Sequence, residues 1–406
     1  MARTQTVQGQ DGNIKLILPD SYYLSENPEI SIVVPALNEE ITVGEFVDWC
    51  REGLQKAGVN GQILIVDSST DRTPEIALAH GAEVLKVPKG GLGRAYIDAT
   101  PFIRGRYMLM GDADLTYDFR EIAPFVENFR NGYEFIMGSR FKGTIEKGAM
   151  PPLHQYFGTP LTTWILNRIY GSKFSDIHCG MRGITREAFG RIDLQSQSWE
   201  YASEMVLKAA RLNLKLTEVP VKFYKDRQGR VSHHRRASFL SPWIAGWINL
   251  KVMLVYSPDS FLLKPGLALF IFGAILSISL VGGPYTIGKI GFNLHWMLLG
   301  VASATLGYSC IQIGLLARIL HNLRPALGAR IKRFLTYNLG IAVSVILTIC
   351  GLGLNGIFLW KYIAHGLRLT DFSYQGIFGL LLIVIGFQTF CFTLLIEMMR
   401  RTSWQR

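Results

Sequence analysis

Two aspartates one residue apart, in Asp112-Ala113-Asp114, close an apolar run over residues 106–110. Carboxylates at that spacing, held where a buried strand ends, can share a hard divalent cation such as Mg2+ or Mn2+. Such an ion keeps most of its remaining coordination for water and substrate phosphates. An aspartate-rich turn after a strand is the plain alternative. Asn38 with Glu39 follows the apolar run 30–34, and Asp67 follows 62–66, so three strand ends deliver polar groups. A glycine string, Lys89-Gly90-Gly91-Leu92-Gly93-Arg94, opens a helix. It fails as a dinucleotide fingerprint, because the third glycine position is Tyr96 and no strand of the usual length precedes it. A Gly-rich loop at a helix N-terminus can still hold a phosphate.

These groups need a scaffold that sets them on one edge. Near-continuous apolar strands over 30–34, 62–66, 83–87, 106–110 and 134–138 alternate with helices reaching to about 57, over 73–80 and over 119–130. That alternation predicts an α/β domain with a mostly parallel sheet. In such sheets ligands bind beyond the carboxyl ends of the strands, where the acids fall. Residues 1–29 are polar, without the apolar core of a cleavable signal peptide, and are expected to form a tail.

The chain has 406 residues, a formal charge of +11 and 49% hydrophobic residues, with positive mean hydropathy. That is too long for one ordinary domain and too apolar for a purely soluble one. The apolar excess follows Phe261. Four segments, about 267–281 (or from nearer Phe261), 294–316, 335–360 and 376–398, are expected to span a membrane. No span carries a central ionisable residue, so an ion pathway has no support. Arg318, Arg324, Arg330, Lys332 and Arg333 in the middle connection, with Arg400, Arg401 and Arg406, put that loop, both termini and the α/β domain in the cytoplasm. Five scattered cysteines show no zinc or disulfide spacing, as expected of a reducing compartment. Residues 222–236 hold six Lys or Arg against one Asp. They lead into Trp243, Trp247, Leu250 and Leu254 at helical spacing, which suits either a helix in the headgroup layer or a buried helix. The expected domains are a tail (1–29), the α/β domain (30–225), a basic interfacial segment (226–262) and a transmembrane domain (263–406).

Pro35-Ala36-Leu37-Asn38-Glu39-Glu40, the Asp67 turn, Gly91-Leu92-Gly93, Asp112-Ala113-Asp114 and Gly138-Ser139-Arg140 occur in an order that resembles family-two glycosyltransferases. The polyprenyl-phosphate branch, which includes dolichol-phosphate mannose and glucose synthases, is most similar. Asp176-Ile177-His178-Cys179-Gly180-Met181-Arg182, Glu204 and the run from Arg227 through Arg230 to Ser232 add to it. Two positions depart from the pattern: Asp67 is followed by Ser68 rather than a second acid, and Ser232 by His233-His234 rather than Lys.

The resemblance implies a GT-A-type nucleotide-sugar-binding sheet followed by an all-α transmembrane domain. It implies that Pro35, Ala36, Asn38, Glu39, Asp67, Gly91 and Gly93 bind the nucleotide sugar and that Asp112 and Asp114 hold the metal on its diphosphate. Arg140 would meet the acceptor phosphate, joined by His154, Arg227, Arg230 or Ser232; Arg suits this, since its planar fork matches phosphate oxygens. A surface ion pair is the plainer reading of Arg140. Asp176, Gly180, Arg182 and Glu204 would shape the sugar and acceptor pocket. His178 and Cys179 lack metal-ligand partners and read as packing residues.

The implied activity is inverting transfer of a glucose or mannose from a nucleotide sugar of the UDP-glucose or GDP-mannose class to undecaprenyl or dolichyl phosphate. The partners are those two substrates and the membrane, with no nucleic acid and homo-oligomerisation left open. Two other classes stand beside it. A processive polysaccharide synthase shares the nucleotide-sugar fold, but its Gln-x-x-Arg-Trp motif is absent. A non-enzymatic membrane scaffold that kept the fold has no evident need of the Asp112/Asp114 pair.

Overall fold

A computed structural model of the chain describes residues 3–9, 12–19, 27–227, 229–230, 251, 257–321, 336–364 and 372–402. Two compact units emerge, Met1–Tyr256 and Ser257–Arg406.

The first unit is organised on one sheet. Its strands are β1 (Arg3–Gly9), β2 (Gly12–Leu18), β3 (Ile30–Ala36), β4 (Gly61–Asp67), β5 (Glu83–Lys86), β6 (Tyr107–Met110), β7 (Phe135–Ile145), β8 (Arg182–Thr185) and β9 (Leu216–Phe223), in spatial order β1-β2-β5-β4-β3-β6-β8-β7-β9. The centre, β5-β4-β3-β6, is parallel throughout. Its strands are apolar at successive positions, and Ile32, Val33, Val34, Leu64, Ile65 and Leu109 are all fully buried. Strands covered on both faces require this pattern.

The helices are α1 (Val43–Ala57), α2 (Thr73–Ala79), α3 (Leu92–Ala99), α4 (Ala123–Arg130), α5 (Thr159–Tyr170), α6 (Arg186–Ile192) and α7 (Tyr201–Arg211). In α1 the stripe Val43, Phe46, Val47, Cys50 and Leu54 is buried at helical spacing. The helix stops at Gly58, whose φ of 62° is left-handed, with its N–H donating to the Gln55 carbonyl. Burial of Phe46 alone stabilises the fold by roughly 2 kcal/mol.

Three expectations change. Residues 3–18 are a β-hairpin rather than a tail: β2 pairs antiparallel with β5 and buries Ile14 and Leu16, an alternation hidden in a polar composition. The 119–130 helix is a short turn, Phe119–Glu121, followed by α4, because Pro124 fits only a first turn. β7 runs on past residue 138 to Ile145, so Arg140 lies within a strand, where β9 pairs alongside with a register shift between Ser139 and Thr144.

The second unit holds four helices long and apolar enough to cross a membrane, over Asp259–Ser279, Leu294–Ile319, Tyr337–Ala364 and Tyr374–Arg400. The first starts earlier than residue 267, with Pro265 in the first turn of its regular portion. Glycine sets the closest approaches: a Cβ at Gly273 would strike the backbone of Ala304 and Gly300, and one at Gly351 would meet the Gly379 carbonyl. Tyr308 and Thr389 hydroxyls bond at 2.6 Å, tying the second helix to the fourth. Asp259 and Arg318 form an ion pair between the first and second. The Trp243–Trp247 stripe and the cations from Arg324 to Arg333 lie outside the described residues.

Candidate active site

Parallel register sets Ala36 beside Asp67 and Val33 beside Met110, so the ends of β3, β4 and β6 share one edge. The loops leaving it are stitched together. Asn38, at a φ of 57° that asparagine tolerates, donates its backbone N–H to Ser69 Oγ at 2.7 Å and accepts from the Thr70 N–H at 3.0 Å through Oδ1. Glu39 donates its backbone N–H to Thr73 Oγ1 at 2.9 Å. Asp67 is fully buried; Oδ1 accepts from the Ser69 N–H and Oδ2 lies 2.9 Å from Lys86 Nζ. Pro35 is half-buried and Ala36 buried beside it.

Asp112 and Asp114 follow β6 directly. Asp114 Oδ1 accepts from the Thr116 N–H and hydroxyl at 3.0 and 2.6 Å, an aspartate turn that fixes its carboxylate. Burial, then the like charge of Asp114, pushes the Asp112 carboxyl up to about 7, opposed by Arg182 and Arg230. Burial also raises Asp114, opposed chiefly by Arg230. Arg182, expected to line the pocket, is instead 1% exposed, donating to the carbonyls of Cys179 and Ala202 as an internal counter-charge. A Cβ on Gly180 would lie 2.5 Å from Asp112 Oδ2, and the Gly180 N–H donates to Tyr117 Oη at 2.8 Å. Only glycine permits that approach.

Of the expected phosphate cations, Arg230 enters this cluster. Its Nε and Nη2 grip Glu39 at 2.7 and 2.6 Å, Nη1 donates to Asp226 at 2.7 Å and stands 3.4 Å from Asp114. Arg227 forms an exposed ion pair with Glu45. Ser232 lies outside the described residues. Arg140 is neither a surface pair nor unengaged: Nε and Nη2 hold both oxygens of the buried Asp176 at 2.7 and 2.9 Å. His154 is close enough to His178 to help depress it; burial is the main cause, bringing His178 down to about 4. The neutral His178 bonds Thr162 Oγ1 at 2.8 Å and packs as expected.

Two expectations about loops change. Glu204 does not face a pocket; it accepts the backbone N–H groups of Gln195 and Ser196 at 3.0 and 2.7 Å and pairs with Lys208. The loop so held presses on the glycine string. The Arg94 N–H donates to the Gln197 carbonyl at 2.9 Å, and a Cβ on Gly91 would lie 2.5 Å from that oxygen. Gly91 and Gly93 therefore serve close backbone packing. Thr116, Tyr117, Asp226 and Lys86 complete the cluster and were missed. Thr116 was foreshadowed by its place two after Asp114.

The donor set fits a hard divalent ion. Asp112 and Asp114 offer carboxylate oxygens whose repulsion is incompletely offset, the condition an added cation relieves. Among the described residues no three His, Cys, Asp or Glu side chains converge on one point.

The chain belongs to glycosyl transferase family 2. Residues 31–193 match Glycosyl transferase family 2, and residues 322–400 match the Glycosyltransferase family 2 C-terminal transmembrane region. Over 368 residues it is 32% identical to the low-salt glycan biosynthesis hexosyltransferase Agl6 of Haloferax volcanii, covering 89% of this chain and 86% of that one. The dolichyl-phosphate hexose transferase of the same organism is 28% identical over 207 residues, 50% of this chain and 85% of the relative. Among solved structures, mannosyl-3-phosphoglycerate synthase from Rubrobacter xylanophilus is 23% identical with a TM-score of 0.43, over 55% of this chain and 72% of that one. The protein is thus an enzyme, an integral membrane glycosyltransferase related to dolichyl-phosphate hexosyltransferases.

Proposed function

We propose that the enzyme transfers a hexose, glucose or mannose, from a nucleotide sugar to a polyprenyl phosphate at the cytoplasmic face of the membrane. The observation that carries this reading is the Asp112/Asp114 pair at the carboxyl edge of β3, β4 and β6, with one carboxyl held up at about 7. Support for the lipid acceptor comes from the relative named a dolichyl-phosphate hexose transferase. The basic connections around the apolar helices support the cytoplasmic placement.

Asp112 and Asp114 would hold Mg2+ or Mn2+, which supplies charge neutralisation for a departing diphosphate. Glu39 and Asp67, anchored by the Ser69–Thr73 loop and Lys86, shape the nucleoside side. The acceptor phosphate is largely ionised at neutral pH, having a second pKa near 6, so it needs positioning more than a general base. Its oxygen attacks the anomeric carbon as the bond from that carbon to the diphosphate oxygen breaks. The configuration inverts and no covalent enzyme intermediate forms. Arg140 acts on the acceptor by charge from within its pair with Asp176, and His154 joins it on that side.

The test is incubation of membranes with radiolabelled nucleotide sugars and polyprenyl phosphate, with and without Mn2+. A labelled lipid-linked monosaccharide of inverted configuration is expected. A long glycan identifies a processive synthase, and a trapped glycosylated side chain overturns single displacement.

A further inference from the structure

Two routes join the Asp112/Asp114 pair to Arg140, and Tyr117 lies on both. The first runs through the backbone after Asp114. The Asp114 carboxylate fixes Thr116, and between them Leu115, 2% exposed, is held at a φ of 63°. A branched apolar residue rarely takes that left-handed backbone. Such strain persists only where the surroundings over-determine it, and it gathers at functional sites. Here the end of β9 holds the next residues in place. The Tyr224 N–H donates to the Thr116 carbonyl at 2.8 Å, and Tyr117 bridges Phe223 antiparallel. The rings of Tyr117 and Phe223 lie 5.1 Å apart, and the Arg140 guanidinium stands 5.2 Å from the centre of the same Phe223 ring.

The second route is the 176–180 loop. Tyr117, 4% exposed, accepts the Gly180 N–H at Oη, and Gly180 abuts Asp112 with no room for a side chain. Asp176, at the start of that loop, grips Arg140 through both carboxylate oxygens. Phenylalanine at 117 would keep the ring contacts and leave the Gly180 N–H without this acceptor. We propose that Tyr117 is a positioning residue that sets the separation between the Asp112/Asp114 carboxylates and Arg140. It thereby spaces the donor diphosphate from the acceptor phosphate, which rests on the acceptor role given to Arg140 above. Displacement needs the attacking and leaving oxygens aligned on one carbon, so a loosened separation lowers turnover more than it lowers substrate binding.

Full-length wild type, Tyr117→Phe, Arg140→Lys and the double variant are assayed in detergent with nucleotide sugar, Mn2+ and polyprenyl phosphate. For Tyr117→Phe, kcat is expected to fall roughly tenfold or more, with KM for the nucleotide sugar within about twofold of wild type. In the Arg140→Lys background the same change is expected to cost less than about threefold, since the group it positions is already altered. Hydrogen–deuterium exchange at the Gly180 amide is expected to quicken roughly tenfold in Tyr117→Phe, while β3 and β4 keep their protection and report a folded unit. A near-normal kcat, or an equal loss in both backgrounds, overturns the proposal even if Gly180 exchanges faster. Unchanged exchange at Gly180 overturns it as well. Failure of wild type to glycosylate polyprenyl phosphate overturns the acceptor reading and this role with it; the other outcomes strike this role alone.

Discussion

Arg230 Nη1 stands 3.4 Å from Asp114 Oδ2 while the rest of its guanidinium forks onto Glu39. One arginine thus supplies internal counter-charge to the acidic cluster proposed to take a divalent ion. Replacing it by Arg230→Gln leaves Glu39, Asp112 and Asp114 with less compensation. Affinity for Mn2+ without nucleotide, read from electron paramagnetic resonance of the free ion, is expected to rise several-fold. An unchanged or weaker affinity contradicts this role.

Asp112 has a pH signature of its own. A carboxyl held at about 7 binds its proton more tightly in the folded state than in the unfolded chain, where aspartate titrates near 4. Stability is therefore unaffected below about pH 4, is lost as pH rises toward 7, and stays lost above that. Asp112→Asn removes the dependence, so its advantage over wild type in EDTA is expected to grow by about 3 kcal/mol between pH 5 and pH 8. Thermal melts in detergent at the two pH values measure it; an equal advantage at both contradicts the burial argument.

The Arg140–Asp176 pair is buried and doubly hydrogen-bonded. Asp176→Asn strands a guanidinium and is expected to destabilise the first unit by about 3–5 kcal/mol. The double variant Arg140→Met, Asp176→Asn should recover much of that stability while transfer stays low. Recovery of transfer along with stability would reduce Arg140 to a structural role.

Gly93→Ala tests the reassigned glycine string. Its Cβ would press on the Ser196 carbonyl and lie 2.9 Å from Tyr201 Cβ. Overpacking of about 1–3 kcal/mol is expected, with unchanged nucleotide affinity in the folded fraction. A selective loss of nucleotide binding would restore a phosphate role.

Much of this was legible in the amino-acid order because continuous apolar runs declare buried strands and long ones declare membrane helices. Residues 30–34 and 62–66 found their strands, and the acids after them found the edge of the sheet. The short β8 was hidden because it opens with the buried cation Arg182, and β9 because Pro220 and two charged residues interrupt its apolar pattern. The hairpin at residues 3–18 was masked by polar partners in an alternating pattern. Arg140 and Glu204 look like site residues by type; only tertiary packing reveals that Asp176 and a loop backbone claim them.

The most direct test of the central claim is transfer itself in matched membranes carrying wild type, Asp112→Ala or Asp114→Ala, at equal protein level, with Mn2+, labelled nucleotide sugar and polyprenyl phosphate. A lipid-linked monosaccharide formed by wild type and reduced at least a hundredfold in both variants is the predicted result. Near-normal transfer by either variant would contradict the assignment of that carboxylate pair.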